Sequence, residues 1–160
     1  MSNPPRQFTV EEANQRLPLV RVIAADIKET YERIRERETR LSRVSRNPRS
    51  HKSDQPDSLH SEEIEFERDQ LGSDLELLTQ FTEELESLGI ELQDAAEGYV
   101  DFPARIDGRE VALCWKVGER EVEHWHELGA DPAERISLYQ GSLTFDPSAD
   151  DQSGQGDGPA

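Results

Sequence analysis

Asp107-Gly108 restricts the folds open to this chain more than any other feature. The Asp-Gly pair favours a two-residue turn whose central residues both take positive φ, the turn that joins two tightly paired antiparallel strands. The flanking segments, Tyr99–Ile106 and Arg109–Val117, are the candidate strands. Closing the turn predicts Ala104 opposite Val111, Phe102 opposite Leu113 and Val100 opposite Trp115, all on one face. The other face then carries Arg105 beside Glu110, Pro103 beside Ala112, and Asp101 beside Cys114. The sole cysteine of the chain therefore has a carboxylate across the ladder.

Upstream of the hairpin the period changes to that of helices. Thr9 and Glu12 form a capping box that opens a short helix over about 10–16. Pro18 lacks an amide proton, so the expected second helix starts there and runs to about Ser45. Its apolar stripe is Val20, Ala24, Ile27, Tyr31, Ile34 and Leu41, interrupted by Glu38. Residues 46–61, with Pro48 and Pro56, read as a flexible loop. A further helix over about 61–88 carries Ile64, Leu71, Leu75, Leu78, Phe81, Leu85 and Leu88, and Gly89 caps it. Basic residues predominate between Arg21 and Lys52, whereas Arg68 is the one basic residue between Glu62 and Glu97. Two helices of opposite charge joined by a loop fold back as an antiparallel hairpin.

The rest of the chain is short pieces. Residues 90–93 form a short strand, and 136–145 a last one. Residues 119–128 read as a helix ended by Gly129, with Glu119, Val122, Trp125 and His126 on one side. Residues 146–160 hold Asp, Gly, Ser and Gln with no apolar anchor, the composition of a disordered acidic tail.

Composition narrows the setting. The formal net charge of −17 repels nucleic acid and anionic membrane over most of the surface. A basic arm on the first long helix lacks aromatics for stacking on bases, so pairing with the acidic helix is the simpler account. One cysteine builds neither an intrachain disulfide nor a zinc framework by itself. No run approaches the roughly 20 apolar residues of a membrane span, and no secretory signal is visible, so the expected location is cytoplasmic.

Three segments carry a family resemblance: FTVEEANQRLPLV at 8–20, VDFPARIDGREVALCWKVGE at 100–119, and EHWHE at 123–127. Together they resemble the domain of unknown function 2203 family of bacteria and archaea, over most of 8–138. The resemblance implies Trp115, Gly118, Glu119, Trp125, His126, Glu127 and Arg135 as shared positions, and no particular activity. After WHE the chain departs from the family pattern. Asp131, Pro132 and Glu134 precede Arg135 where relatives carry glycines and an aromatic, which puts a pocket built by that loop in doubt.

Candidate chemistry concentrates in 113–127, which holds the cysteine, both tryptophans, His124 and His126. Cys114, His124, His126 and Glu127 are ligand types for zinc or iron, and the set singled out is Cys114 and His126 with Asp101, the carboxylate across the ladder. Secondary structure decides which histidines can join Cys114: on a strand His124 and His126 share a face, whereas on a helix they lie about 200° apart. Glu123-x-x-His126 has the spacing of di-iron bundles but occurs once. The same Cys114, His126 and Asp101 could form a thiol–imidazole–carboxylate relay, although a neighbouring carboxylate raises a thiol's pKa. The simpler roles are core packing for Trp115 and Trp125 and a buried inert thiol. If the tryptophans instead wall a pocket, Arg135 or Glu119 would orient its ligand.

The sequence thus predicts a single α+β domain over 8–145: a long antiparallel helical hairpin on a small antiparallel β-sheet, with a short helix carrying WHE. The expected function is a non-catalytic binding or assembly module, with a homodimer through the hairpin. The alternative is a metal-binding protein or metal-dependent enzyme using His126, Cys114 and a nearby carboxylate.

Overall fold

The computed structural model describes residues 7–46 and 57–139. Two long helices, α1 (Val10–Arg46) and α2 (Asp57–Ser87), precede five strands: β1 (Glu91–Asp94), β2 (Tyr99–Ile106), β3 (Arg109–Lys116), β4 (His124–Glu127) and β5 (Ile136–Ser137). The strands pair antiparallel in chain order, each with its sequence neighbour. This is the expected α+β arrangement, a helical pair on an antiparallel sheet. Residues 57–61, expected in the loop, belong to α2. Residues 47–56 of that loop, 140–145 of the last expected strand and the acidic tail lie outside the described residues.

The capping box opens α1 as the sequence indicates. The Thr9 amide donates to Glu12 Oε1 at 2.9 Å, and the Glu12 amide donates to Thr9 Oγ1 at 3.1 Å. The expected break at Pro18 does not occur: one helix runs through it. Pro18 faces solvent, while Ala13, Leu17, Val20, Ala24 and Ile27 form one buried stripe across the position, at spacings of four and three. Burying that continuous stripe outweighs the one helical hydrogen bond a proline removes.

Residue pairing shows the helices to be antiparallel. Arg33 and Arg37 meet Asp74 at 3.5 and 3.0 Å, whereas Arg37 and Arg40 meet Glu67 at 2.9 and 3.8 Å. The facing stripe of α2 differs from the expected one in one member. Leu75 is 46% exposed, and Asp74 is buried in its place. Spacings of three and four through Leu71, Asp74, Leu78, Phe81, Leu85 and Leu88 put a carboxylate on the inner face, and the arginines of α1 neutralise it.

Gly89, at φ 83°, ends α2, and the Ile90 amide closes onto the Leu85 carbonyl at 3.3 Å. The β2–β3 ladder matches the sequence reading in all six pairs foreseen, with Asp107 at φ 50° and Gly108 at φ 78° in the turn. Val100, Phe102, Ala104, Ile106, Val111, Leu113 and Trp115 join α1 and Leu85 in one core. Phe8 pins the start of α1 to the sheet. Its amide donates to the Pro103 carbonyl at 2.7 Å, and its ring meets Phe102 edge-on, centroids 5.4 Å apart.

The helix expected over 119–128 is absent; WHE lies on β4. Val111, Ala112, Leu113 and Cys114 pair with Glu127, His126, Trp125 and His124 in turn. That pairing satisfies the backbone of β3 along its second side, which a helix would leave open. Trp125 joins the core, and both histidines take the opposite face.

The turn between β1 and β2 ends at Gly98, at φ 76°, where an added Cβ would strike the Val117 side chain. Gly98→Ala is expected to lower the stability of the fold by about 1–3 kcal/mol, the scale of a strained left-handed residue. Urea unfolding followed by tryptophan fluorescence measures this, and an unchanged midpoint contradicts it.

A buried Asp–Cys–His cluster on the outer face of the sheet

The sheet face turned away from the core carries polar residues, yet its centre is closed to solvent. One row across the strands reads Asp101, Cys114, His124; the next reads Pro103, Ala112, His126. Asp101, Cys114 and His126 are 2%, 0% and 3% exposed. Their donor atoms all lie within 4.8 Å of one another. His126 on β4 reaches Asp101 on β2 diagonally, and the buried Ala112 between them is small enough for the imidazole to lie across the middle strand.

The hydrogen bonds of His126 fix its tautomer. Nδ1 lies 2.8 Å from the Glu127 carbonyl, which only accepts, so Nδ1 carries a proton. Nε2 lies 2.9 Å from each oxygen of the Asp101 carboxyl. The hydrogen bond therefore places a proton between Nε2 and an Asp101 oxygen. Burial raises the Asp101 pKa, and the His126 hydrogen bond opposes this without cancelling it. Burial, then the Asp101 charge, pushes the Cys114 thiol up to about 12, against the pull of the Arg135 guanidinium.

Arg135 follows a 3-10 turn, Pro132–Glu134, capped by the Asp131 carboxylate, which accepts from the Ala133 amide at 2.9 Å. Its guanidinium grips both carboxylate oxygens of Glu119, one of them at 2.8 Å, and lies 5.3 Å from the centre of the Tyr99 ring. Burial alone would raise the Glu119 pKa, but the Arg135 bonds and the Lys116 amide hold it below the ordinary value. His124 Nδ1 is buried without a hydrogen-bond partner, and Glu119 Oε2 lies 3.7 Å away.

The residues singled out in the sequence therefore separate into groups. Asp101, Cys114 and His126 converge, and Arg135, held by Glu119, stands next to the thiol. Trp115 and Trp125 belong to the core on the other face, and Trp115 Nε1 donates to the Glu119 carbonyl at 3.0 Å. The Glu127 side chain turns to the surface and pairs with Arg109 at 2.6 Å. A strand at 124–127 also removes the meaning of the Glu123-x-x-His126 spacing, because residues three apart on a strand face opposite ways. Nor is a thiol–imidazole relay formed: both ring nitrogens of His126 are engaged elsewhere.

Sequence reasoning missed Ala112 and misplaced His124. The alternation of His124, Trp125 and His126 fits a strand but is too short to decide against a helix.

Over residues 6–138 the chain matches the family described as an uncharacterized conserved protein (DUF2203). This chain belongs to that family. No curated protein and no solved structure matches it. For this DUF2203 chain the cluster itself must therefore indicate the chemistry.

A thiol so buried and so weakly acidic is inert as a nucleophile. Disulfide-exchange reagents at pH 8 are expected to find no reactive thiol in the folded protein and the single cysteine once denaturant is added. Rapid labelling of Cys114 under native conditions overturns this account of the cluster.

Proposed function

We propose that this protein is a non-catalytic metal-binding protein that holds a divalent ion, zinc foremost, between Asp101, Cys114 and His126. The carrying observation is the convergence of a thiol, an imidazole and a carboxyl within 4.8 Å, all buried. Sulfur and nitrogen donors favour zinc over magnesium or calcium. His126 has the outer arrangement that metal-ligating histidines use, with its distal N–H given to a backbone carbonyl and Nε2 turned toward the other donors.

Charge supports the same reading. The cluster holds the proton shared by His126 and Asp101 and the proton on Cys114. A divalent ion that displaces both leaves the buried site neutral, so the large cost of an uncompensated interior charge does not arise. Nearby Arg135 stays neutralised by Glu119.

Protein purified without chelator or affinity tag is expected to carry zinc in a stoichiometric amount, lost in His126→Ala and Asp101→Asn. At zinc one hundred times above its dissociation constant, the fold gains about 2.7 kcal/mol. A folded, metal-free protein whose unfolding is unmoved by added zinc overturns the proposal.

Self-association through the helices is a second reading. Leu19 and Val22, one turn apart on α1, are exposed together. Light scattering is expected to give a dimer at micromolar concentration that Val22→Glu dissociates; a wild-type monomer overturns it.

A further inference from the structure

We infer that His124 supplies the fourth ligand of this metal site through Nε2, closing it as a four-coordinate structural centre; the inference rests on the metal-binding reading above. Because residues 124–127 form a strand, His124 and His126 project from the same face of β4. The register sets His124 directly opposite Cys114, in the row that also holds Asp101. The four residues thus occupy neighbouring positions on the outer face, contributed by three adjacent strands.

His124 is also the member whose hydrogen bonding is incomplete. Its Nδ1 is buried with no hydrogen-bond partner, and the carboxylate of Glu119 stands 3.7 Å away. Buried polar atoms are almost always paired, so the orphan calls for a partner that the ring does not reach as placed. As placed, the ring lies outside the group of three converging donors. A turn about its side-chain torsions would direct Nε2 toward Cys114, its partner across the ladder, and keep Nδ1–H toward Glu119. The side chain is 28% exposed, so one edge of the ring borders solvent. Glu119 then acts as the carboxylate that orients a ligating imidazole, itself held by the Arg135 guanidinium and the Lys116 amide.

The fourth ligand decides the class of the site. Structural zinc has four protein ligands, whereas catalytic zinc keeps a position for water or substrate. With the three buried donors alone, the His124 side is where solvent would reach the ion. With His124 bound the ion is sealed, and its work is to tie β2, β3 and β4 together.

X-ray absorption on the zinc-loaded wild-type protein is the direct test. Two imidazoles, one sulfur and one carboxylate oxygen are expected. One imidazole with a water oxygen overturns the inference and leaves the metal-binding reading standing; failure to take up zinc at all overturns both. Cobalt titration adds a second readout. His124→Ala is expected to weaken cobalt binding by more than about tenfold, the scale at which even outer partners act, and to change the four-coordinate visible bands. The thiolate-to-cobalt charge-transfer band should persist in that variant and vanish in Cys114→Ser. Unchanged affinity and bands in a folded His124→Ala protein overturn the assignment of His124.

Discussion

Two consecutive positive φ angles, at Asp107 and Gly108, are the constraint on which the rest of the structure depends. They force a two-residue turn, and the turn fixes the parity of every pairing between β2 and β3. A slip of one residue would exchange the faces of the ladder. Asp101 and Cys114 would then enter the core under α1, and Phe102, Leu113 and Trp115 would face outward. Because the large apolar residues must be buried, this parity is enforced from both sides of the sheet. The outer cluster inherits its geometry from the packing demand of the inner face.

The two long strands were legible in the sequence because their signal is local: a turn dipeptide with an eight-residue strand-like segment on either side. The helical pair was legible for a similar reason, through long stripes of apolar residues. Pro18 misled because its local penalty is visible in the sequence while the compensation is not. That compensation is the burial of Ala13 and Leu17 before it and Val20 and Ala24 after it, in one continuous stripe. Leu75 misled by being apolar next to the true stripe position, where Asp74 sits opposite two arginines.

For the candidate site the donor types could be read, and Asp101 beside Cys114 followed from the hairpin register alone. The position of His126 could not. A segment of four residues has too few alternations to distinguish a strand from a helix turn, and β4 exists because β3 offers it an open edge. Once β4 is a strand, His126 leaves the Trp125 side and joins His124 on the opposite face. The reach of His126 to Asp101 adds a third condition, a small residue at 112, which no pattern of polar and apolar letters encodes.

The pairing of Arg33 and Arg37 with Asp74 has a consequence for the helical hairpin as a whole. Stripes of Leu and Ile alone are nearly degenerate: one helix sliding a heptad past the other finds another set of apolar neighbours. A charge placed within the stripe removes that degeneracy, since a shifted helix would set Asp74 against apolar side chains and strand the arginines. The ion pairs thus act as a vernier mark between two rods that would otherwise slide. Through Gly89, which joins α2 directly to β1, that alignment also sets where the sheet begins.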